Sequence, residues 1–148
     1  MEHSYLFHEG LWVASGHYFD DAARTRAVKG HSRITHGEMW EVESFMQLMK
    51  PPRLTFENHY RVSPFEAGAD FTVWSSHNPA IGPVSGRFFL IGDTILSIFA
   101  SEDGRYTGSE FFLSLDENLY QNRGALFKDQ GRISSWAVKL ARAGRTDE

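Results

Sequence analysis

The chain contains no cysteine, which excludes disulfides and thiolate metal sites and leaves its redox compartment unconstrained. It also lacks any apolar run approaching the length of a membrane span, and residues 1–10 lack the basic-then-apolar layout of a signal peptide. These absences lead us to expect a soluble, cytoplasmic protein with no membrane partner. A strong excess of positive charge is also missing. The net charge is −4 and the 15 Lys and Arg are scattered, so no nucleic-acid partner is expected.

Proline is scarce and confined. All five (Pro51, Pro52, Pro64, Pro79 and Pro83) fall in three breaks, and none follows Pro83. A sheet of many strands requires this, because proline removes a ladder donor. No long helical period, internal repeat, low-complexity segment or domain boundary is present. At 148 residues the chain suits one domain with a core that needs no staples. We expect a tail over residues 1–9, with His3 and His8 in water, a domain over 10–143, and a second tail over 144–148.

What the chain does have is aromatic bulk (Phe 12, Tyr 5, Trp 4) and period-two alternation, which suit a β-rich interior. The clearest region is 84–115. It reads as strands 84–91, 94–101 and 105–115, joined by Gly92-Asp93, which suits a type II′ turn, and Asp103-Gly104, which suits type I′. Two-residue loops would pair Leu90 with Ile95, Phe88 with Ser97 and Gly86 with Phe99. Across the second turn Phe99 meets Gly108, Ser97 meets Glu110 and Ile95 meets Phe112. Phe99 then lies between two glycines, where a ring covers bare backbone and the sheet bends. That places Phe88, Ser97, Phe99, Tyr106, Glu110 and Phe112 on the concave face. Phe89, Leu96 and Phe111 fall outside, where an apolar patch suggests a homo-oligomer.

Further strands read over 11–20, 25–35, 38–49, 53–62, 70–76 and 119–128. Segment 133–142 alternates as a strand through Trp136, Val138, Leu140 and Arg142, but Ser134 or Ser135 would also cap a short helix. Sequential hairpins at intervals of about 8–14 residues predict an all-β fold, a single up-and-down antiparallel barrel of about 8–10 strands.

Gly10-Leu11-Trp12 at the start of the first strand resembles the Gly-x-Trp motif of lipocalins. The resemblance implies that Trp12 plugs one end of the barrel and packs against an Arg of the last strand, here Arg142. With the meander it extends over most of the chain. The secretory signal and disulfide of typical lipocalins are missing. The strand count is nearer the fatty-acid-binding branch, whose helical lid is missing too. The resemblance is therefore to the calycin superfamily at large.

For chemistry, Glu110 stands out, because an inward carboxylate is costly unless paired or protonated. If Leu115 faces Asn118 across the next turn, Arg123 stands opposite Glu110, and Tyr120 falls on the other face. The pair is then either an anchor for a ligand's polar head or an exposed ion pair on the outer surface. The expected partner is a small apolar or amphipathic molecule in the interior, lined by Trp12, Tyr18, Phe88, Ser97, Phe99, Tyr106 and Phe112 and held by Glu110 and Arg123. Two alternatives stand beside this. One is a cavity enzyme, a lyase or isomerase, using Glu110, Arg123 and a tyrosine. The other is an interaction protein with a filled barrel. The seven histidines form no His-Glu-x-x-His motif, no serine sits in Gly-x-Ser-x-Gly, and Gly104-x-x-x-Gly108 spans a hairpin. No catalytic residue, metal ligand or cofactor is assigned.

Overall fold

A computed structural model describes residues 2–144. Ten strands follow one another: β1 (Gly10–Phe19), β2 (Thr25–His36), β3 (Trp40–Leu48), β4 (Thr55–Val62), β5 (Phe71–Asn78), β6 (Gly82–Ile91), β7 (Thr94–Ser101), β8 (Tyr106–Asp116), β9 (Leu119–Lys128) and β10 (Gly131–Arg142). Each pairs antiparallel with its sequence neighbours, and β1 closes on β10. The fold is a single all-β, up-and-down barrel. Closure gives each of these apolar strands a neighbour on both sides. The ambiguous last segment is strand β10 over its whole length, because its alternation meets both β1 and β9.

The meander pairs in the expected register: Phe88 with Ser97, Gly86 with Phe99, Ser97 with Glu110 and Ile95 with Phe112. Its concave face is the one expected, since Phe88, Ile95, Ser97 and Phe112 are buried while Ile91 and Ile98 are exposed. Phe89, Leu96 and Phe111 face outward and are half-buried. One turn differs in type. Gly92 has positive φ, as a II′ turn needs, but at Asp103-Gly104 only the glycine does. There the Gly104 amide bonds to the Ser101 carbonyl, and the Ser101 hydroxyl accepts from the Tyr106 amide. Side-chain bonds replace the type I′ geometry without moving the register.

Two ends follow from the hairpins. The turns at 20–24, 49–54, 79–81, 102–105 and 129–130 lie at one end, the mouth. Those at 37–39, 63–70, 92–93 and 117–118 lie at the other, the floor. The N-terminal segment is no tail in water here. Its residues His3, Ser4, Tyr5 and Leu6 are buried, Leu6 at 1% exposure, and they tie the floor turns together. His3 Nε2 meets the Gly92 carbonyl at 3.0 Å, the Ser4 hydroxyl donates to the Glu117 carbonyl, and the His36 ring meets the Leu6 carbonyl. Phe7 joins Trp40 and Phe65. His8 stays exposed, beside Arg142. A polar-looking run such as His3-Ser4 hides its role, because its partners are carbonyls and a hydroxyl supplied by distant turns.

Trp12 plugs this floor at 1% exposure, edge-on to Tyr5 and Tyr120. Arg142, its cross-strand partner on β10, holds its guanidinium 5.9 Å from the indole centroid, a cation–π distance. Trp136 does not share that end. It pairs with Tyr18 toward the mouth.

Burial lowers the pKa of His3, against the opposing pull of the Gly92 carbonyl and Asp93. The folded protein therefore prefers His3 neutral, and below the unfolded value of about 6.5 the unfolded chain binds the extra proton. Stability present above that pH drains away as pH falls toward the depressed folded value. Denaturant melts of wild type and His3→Gln from pH 8 to pH 5 should show a smaller loss in the variant; parallel curves would contradict this.

Candidate functional site

A one-residue irregularity between β8 and β9 decides what the barrel contains. The register shifts between Ser114 and Asp116, so Leu115 is an extra residue with no partner, a β-bulge. Every position beyond it is displaced by one from a plain hairpin, and in a strand one step exchanges the faces. Tyr120, Asn122 and Gly124 turn inward, and Arg123 turns outward opposite Phe111, its guanidinium on the Asn122 carbonyl. The expected Glu110–Arg123 pair does not form, and Tyr120 is in the core at 0% exposure. Glu110 faces Gly124 instead.

Glu110 is consequently an inward carboxyl with no cation beside it among the described residues. Its Oε2 accepts from Asn122 Nδ2 and from Trp136 Nε1, each at 3.1 Å. Its Oε1 makes no hydrogen bond with a described residue, yet it is not among the sealed polar atoms without partners. Deep as it is, Glu110 keeps accessible surface, as do the inward-facing Met46, Phe56, Tyr60, Phe99, Leu126 and Trp136. Inward residues of the lower half, such as Ile34, Val62, Ile95 and Tyr120, keep almost none. Other inward residues at the mouth end, Val28, Leu48, Val84, Ser101 and Ser134, are buried, so the accessible inward surface gathers around Glu110 and the rings beside it.

Glycines shape the walls of this space. A β-carbon on Gly124 would lie 2.2 Å from Trp136 Cζ2, one on Gly86 2.2 Å from Trp74 Cε2, and one on Gly108 2.3 Å from Phe99 Cζ. Each ring lies flat on a neighbouring strand's bare backbone, and this is how Trp136 reaches Glu110. Phe99 covers only Gly108; the other flanking glycine belongs to Trp74. Trp74 also meets Tyr60 edge-on at 4.8 Å, contacts Phe99 and Phe88, and donates to Ser97 Oγ at 3.2 Å.

The remaining expected site residues are divided between the two ends. Trp12 and Phe112 belong to the closed floor, Phe112 stacked on Tyr5 at 4.8 Å. Tyr18 lies at the mouth, stacked on Phe56, and Tyr106 lies there beneath Lys128 Nζ. Phe88, Ser97, Phe99 and Glu110 come together. Asn122, Trp136, Trp74, Tyr60 and Tyr5 join them without having been singled out. Tyr60 and Trp74 were open to a reading of strand alternation; Asn122 needed the bulge and Tyr5 the folded-back N-terminus.

Burial raises the pKa of Glu110, and the bonds from Asn122 and Trp136 pull it the other way without cancelling the effect. Burial also raises the hydroxyls of Tyr5 and Tyr60, and the nearby Glu110 charge adds to both. The pocket thus favours a neutral carboxylic acid, with Oε1 the oxygen free to carry the proton.

The barrel wall also has a gap. Strands β4 and β5 pair only over residues 60–62 against 74–76. Beyond that the Ser76 hydroxyl reaches the His59 carbonyl, and Asn78 reaches the Asn58 side chain at 3.1 Å. A concavity of ≈ 550 Å³ bordered by His31, Glu43, Glu57, His59 and His77 overlies this gap. A second one of ≈ 920 Å³ runs over the outside of β5–β8. Neither contains Glu110. Among the described residues no group of three or more His, Cys, Asp or Glu side chains could hold a metal ion, and no helix is long and apolar enough to cross a membrane.

No family model and no curated protein matches the sequence. Among solved structures, the chain is similar to a protein provisionally named AttH from Nitrosomonas europaea, at 10% identity and a TM-score of 0.30. The match covers 89% of this chain and 49% of that one, so the chain spans about half its length.

Replacing Glu110 by Gln keeps an acceptor for Asn122 and Trp136 and removes the titration. A raised folded pKa means that the native state holds the proton longer, so wild-type stability falls as pH rises from the unfolded value of about 4.3 through the folded one. Glu110→Gln should therefore be more stable than wild type at pH 8, by about 1–3 kcal/mol as for a poorly compensated buried polar group, and the difference should shrink toward pH 4. Equal stability at pH 8 would contradict this.

Proposed function

We propose that this protein is a binding barrel that holds a small molecule with an apolar body and one polar group in its upper interior, the polar group at Glu110. One observation carries the reading: a deep carboxyl whose Oε1 has no partner among the described residues, beside part-exposed inward rings. Natural cores pair their buried polar atoms, and a barrel filled only for stability has no use for an unpaired acid. Small-ligand sites have this composition, an apolar lining with a few fixed polar groups. Arg123, on the outer wall, cannot serve as a carboxylate clamp, so an anionic head group is not what the interior suits. Phe99, Tyr60 and Trp136 line the apolar part, and Ser97 acts through Trp74, whose ring it holds. Entry is by the mouth, past Tyr18, Phe56 and Leu126.

Nile red, a neutral apolar dye, reads the interior directly. Its emission should shift to the blue with wild type and with Glu110→Gln. The shift should be lost in Leu126→Trp, which fills the mouth while circular dichroism stays strand-dominated. A shift that survives in Leu126→Trp, or no shift with wild type, would count against an accessible interior.

A further inference from the structure

Among the described residues, every fixed positive charge is held away from the part of the barrel where Glu110 lies, and this narrows the ligand's chemistry. Four inward positions of the strands carry groups that are or can become cationic, and each is engaged at one end. At the mouth Arg26 bonds to the carbonyls of Lys50 and Pro51, and Lys128 sits over Tyr106. At the floor Arg142 covers Trp12, and His36 stacks on Trp40. His3, from the N-terminal segment, also lies in the floor, bonded to Tyr120 and Gly92. The ion pairs of the described residues, Arg24–Asp20, His59–Glu41 and Arg105–Asp129, are all on the outer surface. What faces Glu110 is neutral: Ser97 from β7, Asn122 from β9, Trp136 from β10, Tyr60 from β4 and Tyr5 from the N-terminal segment.

Resting on the interior-binding reading, we propose that the ligand is a monocationic amphiphile, an ammonium group on an aryl or alkyl body, with its N–H donors on Glu110 Oε1. The geometry supports this in two ways. The bonds from Asn122 and Trp136 to Oε2 fix the carboxyl plane and leave the other oxygen facing the open space. The surrounding side chains are aromatic (Trp136, then Trp74 with Tyr60 and Phe99), and a ring attracts a desolvated cation placed over its face through its quadrupole. A carboxylate head would meet no donor cation, and a like charge wherever Glu110 is ionised.

The proton balance follows. Below its folded pKa, which burial raises, the carboxyl of the empty site holds its proton on Oε1. When an ammonium ion enters, that O–H bond breaks, the proton goes to solvent, and an N–H of the ligand takes its place on the carboxylate. One proton is released per ligand bound, so affinity rises with pH through the carboxyl's folded pKa. It then levels until the amine itself deprotonates, near pH 10 for an ordinary alkylammonium. A neutral acceptor ligand would show the opposite slope, because it needs the acid protonated.

The test compares phenylbutylamine, phenylbutanol and phenylbutanoate by titration calorimetry on wild type and Glu110→Gln. It is run at pH 5 and pH 8, in buffers of low and high ionisation enthalpy. At pH 8 the amine should bind wild type at least about tenfold more tightly than the alcohol, as a charge-assisted bond allows. It should release a proton at pH 5, and it should fall to the alcohol's affinity in Glu110→Gln. Nile red binding to Glu110→Gln shows that the variant remains folded with an open interior. If amine and alcohol bind equally, or if the amine's advantage survives Glu110→Gln, the ammonium assignment is wrong and the interior site stands. If none of the three binds and Nile red gives no blue shift, the interior-binding reading itself is wrong.

Discussion

The unpaired residue at Leu115 controls the chemistry of the whole interior. Because β8 and β9 slip by one there, the Tyr120 hydroxyl points down the barrel axis, where it bonds to His3 Nδ1 at 2.7 Å and accepts from the Ser4 amide. That one hydroxyl anchors the segment that seals the floor. The same slip brings Asn122 to Glu110, lays Gly124 under Trp136, and sends Arg123 to the outer wall. Without the slip, the Asp116–Leu119 pair would set Ala125 opposite Glu110 and turn Arg123 inward opposite Phe112, and the floor would lose its central hydroxyl. Bulges commonly re-aim side chains beside functional sites, and this one does so for an entire strand.

A division of labour between the two halves follows. The lower half is a conventional core: Trp12, Ile34, Val62, Ile95 and Tyr120 are all at or below 1% exposure. It is capped by chain that contributes hydrogen bonds to three separate turns. Such a floor adds a cap to the closure that β1 and β10 make from Trp12–Arg142 to Phe19–Ser135. The upper half can therefore carry an uncompensated acid, part-exposed rings and a β4–β5 seam joined largely by side chains. Groups that lower stability concentrate where a ligand would meet them, as expected when a site is tolerated at the expense of the fold.

How far the sequence could be read follows from the range of each interaction. Alternation and turn residues act locally, so the ten strands, their order and the register of β6–β8 were legible from residues such as Phe88, Ser97 and Phe99. The Trp12–Arg142 contact was legible through a motif. The β8–β9 register was not, because Asp116-Glu117-Asn118 is compatible with a plain hairpin and with a bulge, and Leu115 looks the same in both. The N-terminal segment was not legible either. Tyr5 and Leu6 amount to a few apolar residues among polar ones, and only the distant carbonyls of Gly92 and Glu117, which hold His3 and Ser4, reveal why the segment is buried. Both failures bear on the site, which is why Glu110 was recognised while its partners were misassigned.

The central claim is that Glu110 is an acid without a counter-ion, facing an open interior. A carbon-13 NMR titration of glutamate carboxyls, with Glu110→Gln to assign the resonance, measures this most directly. The account predicts one carboxyl, missing from the variant, that titrates well above the ordinary glutamate value of about 4.3 and whose midpoint falls when phenylbutylamine is added. A Glu110 resonance that titrates with the surface glutamates and ignores the amine would contradict it.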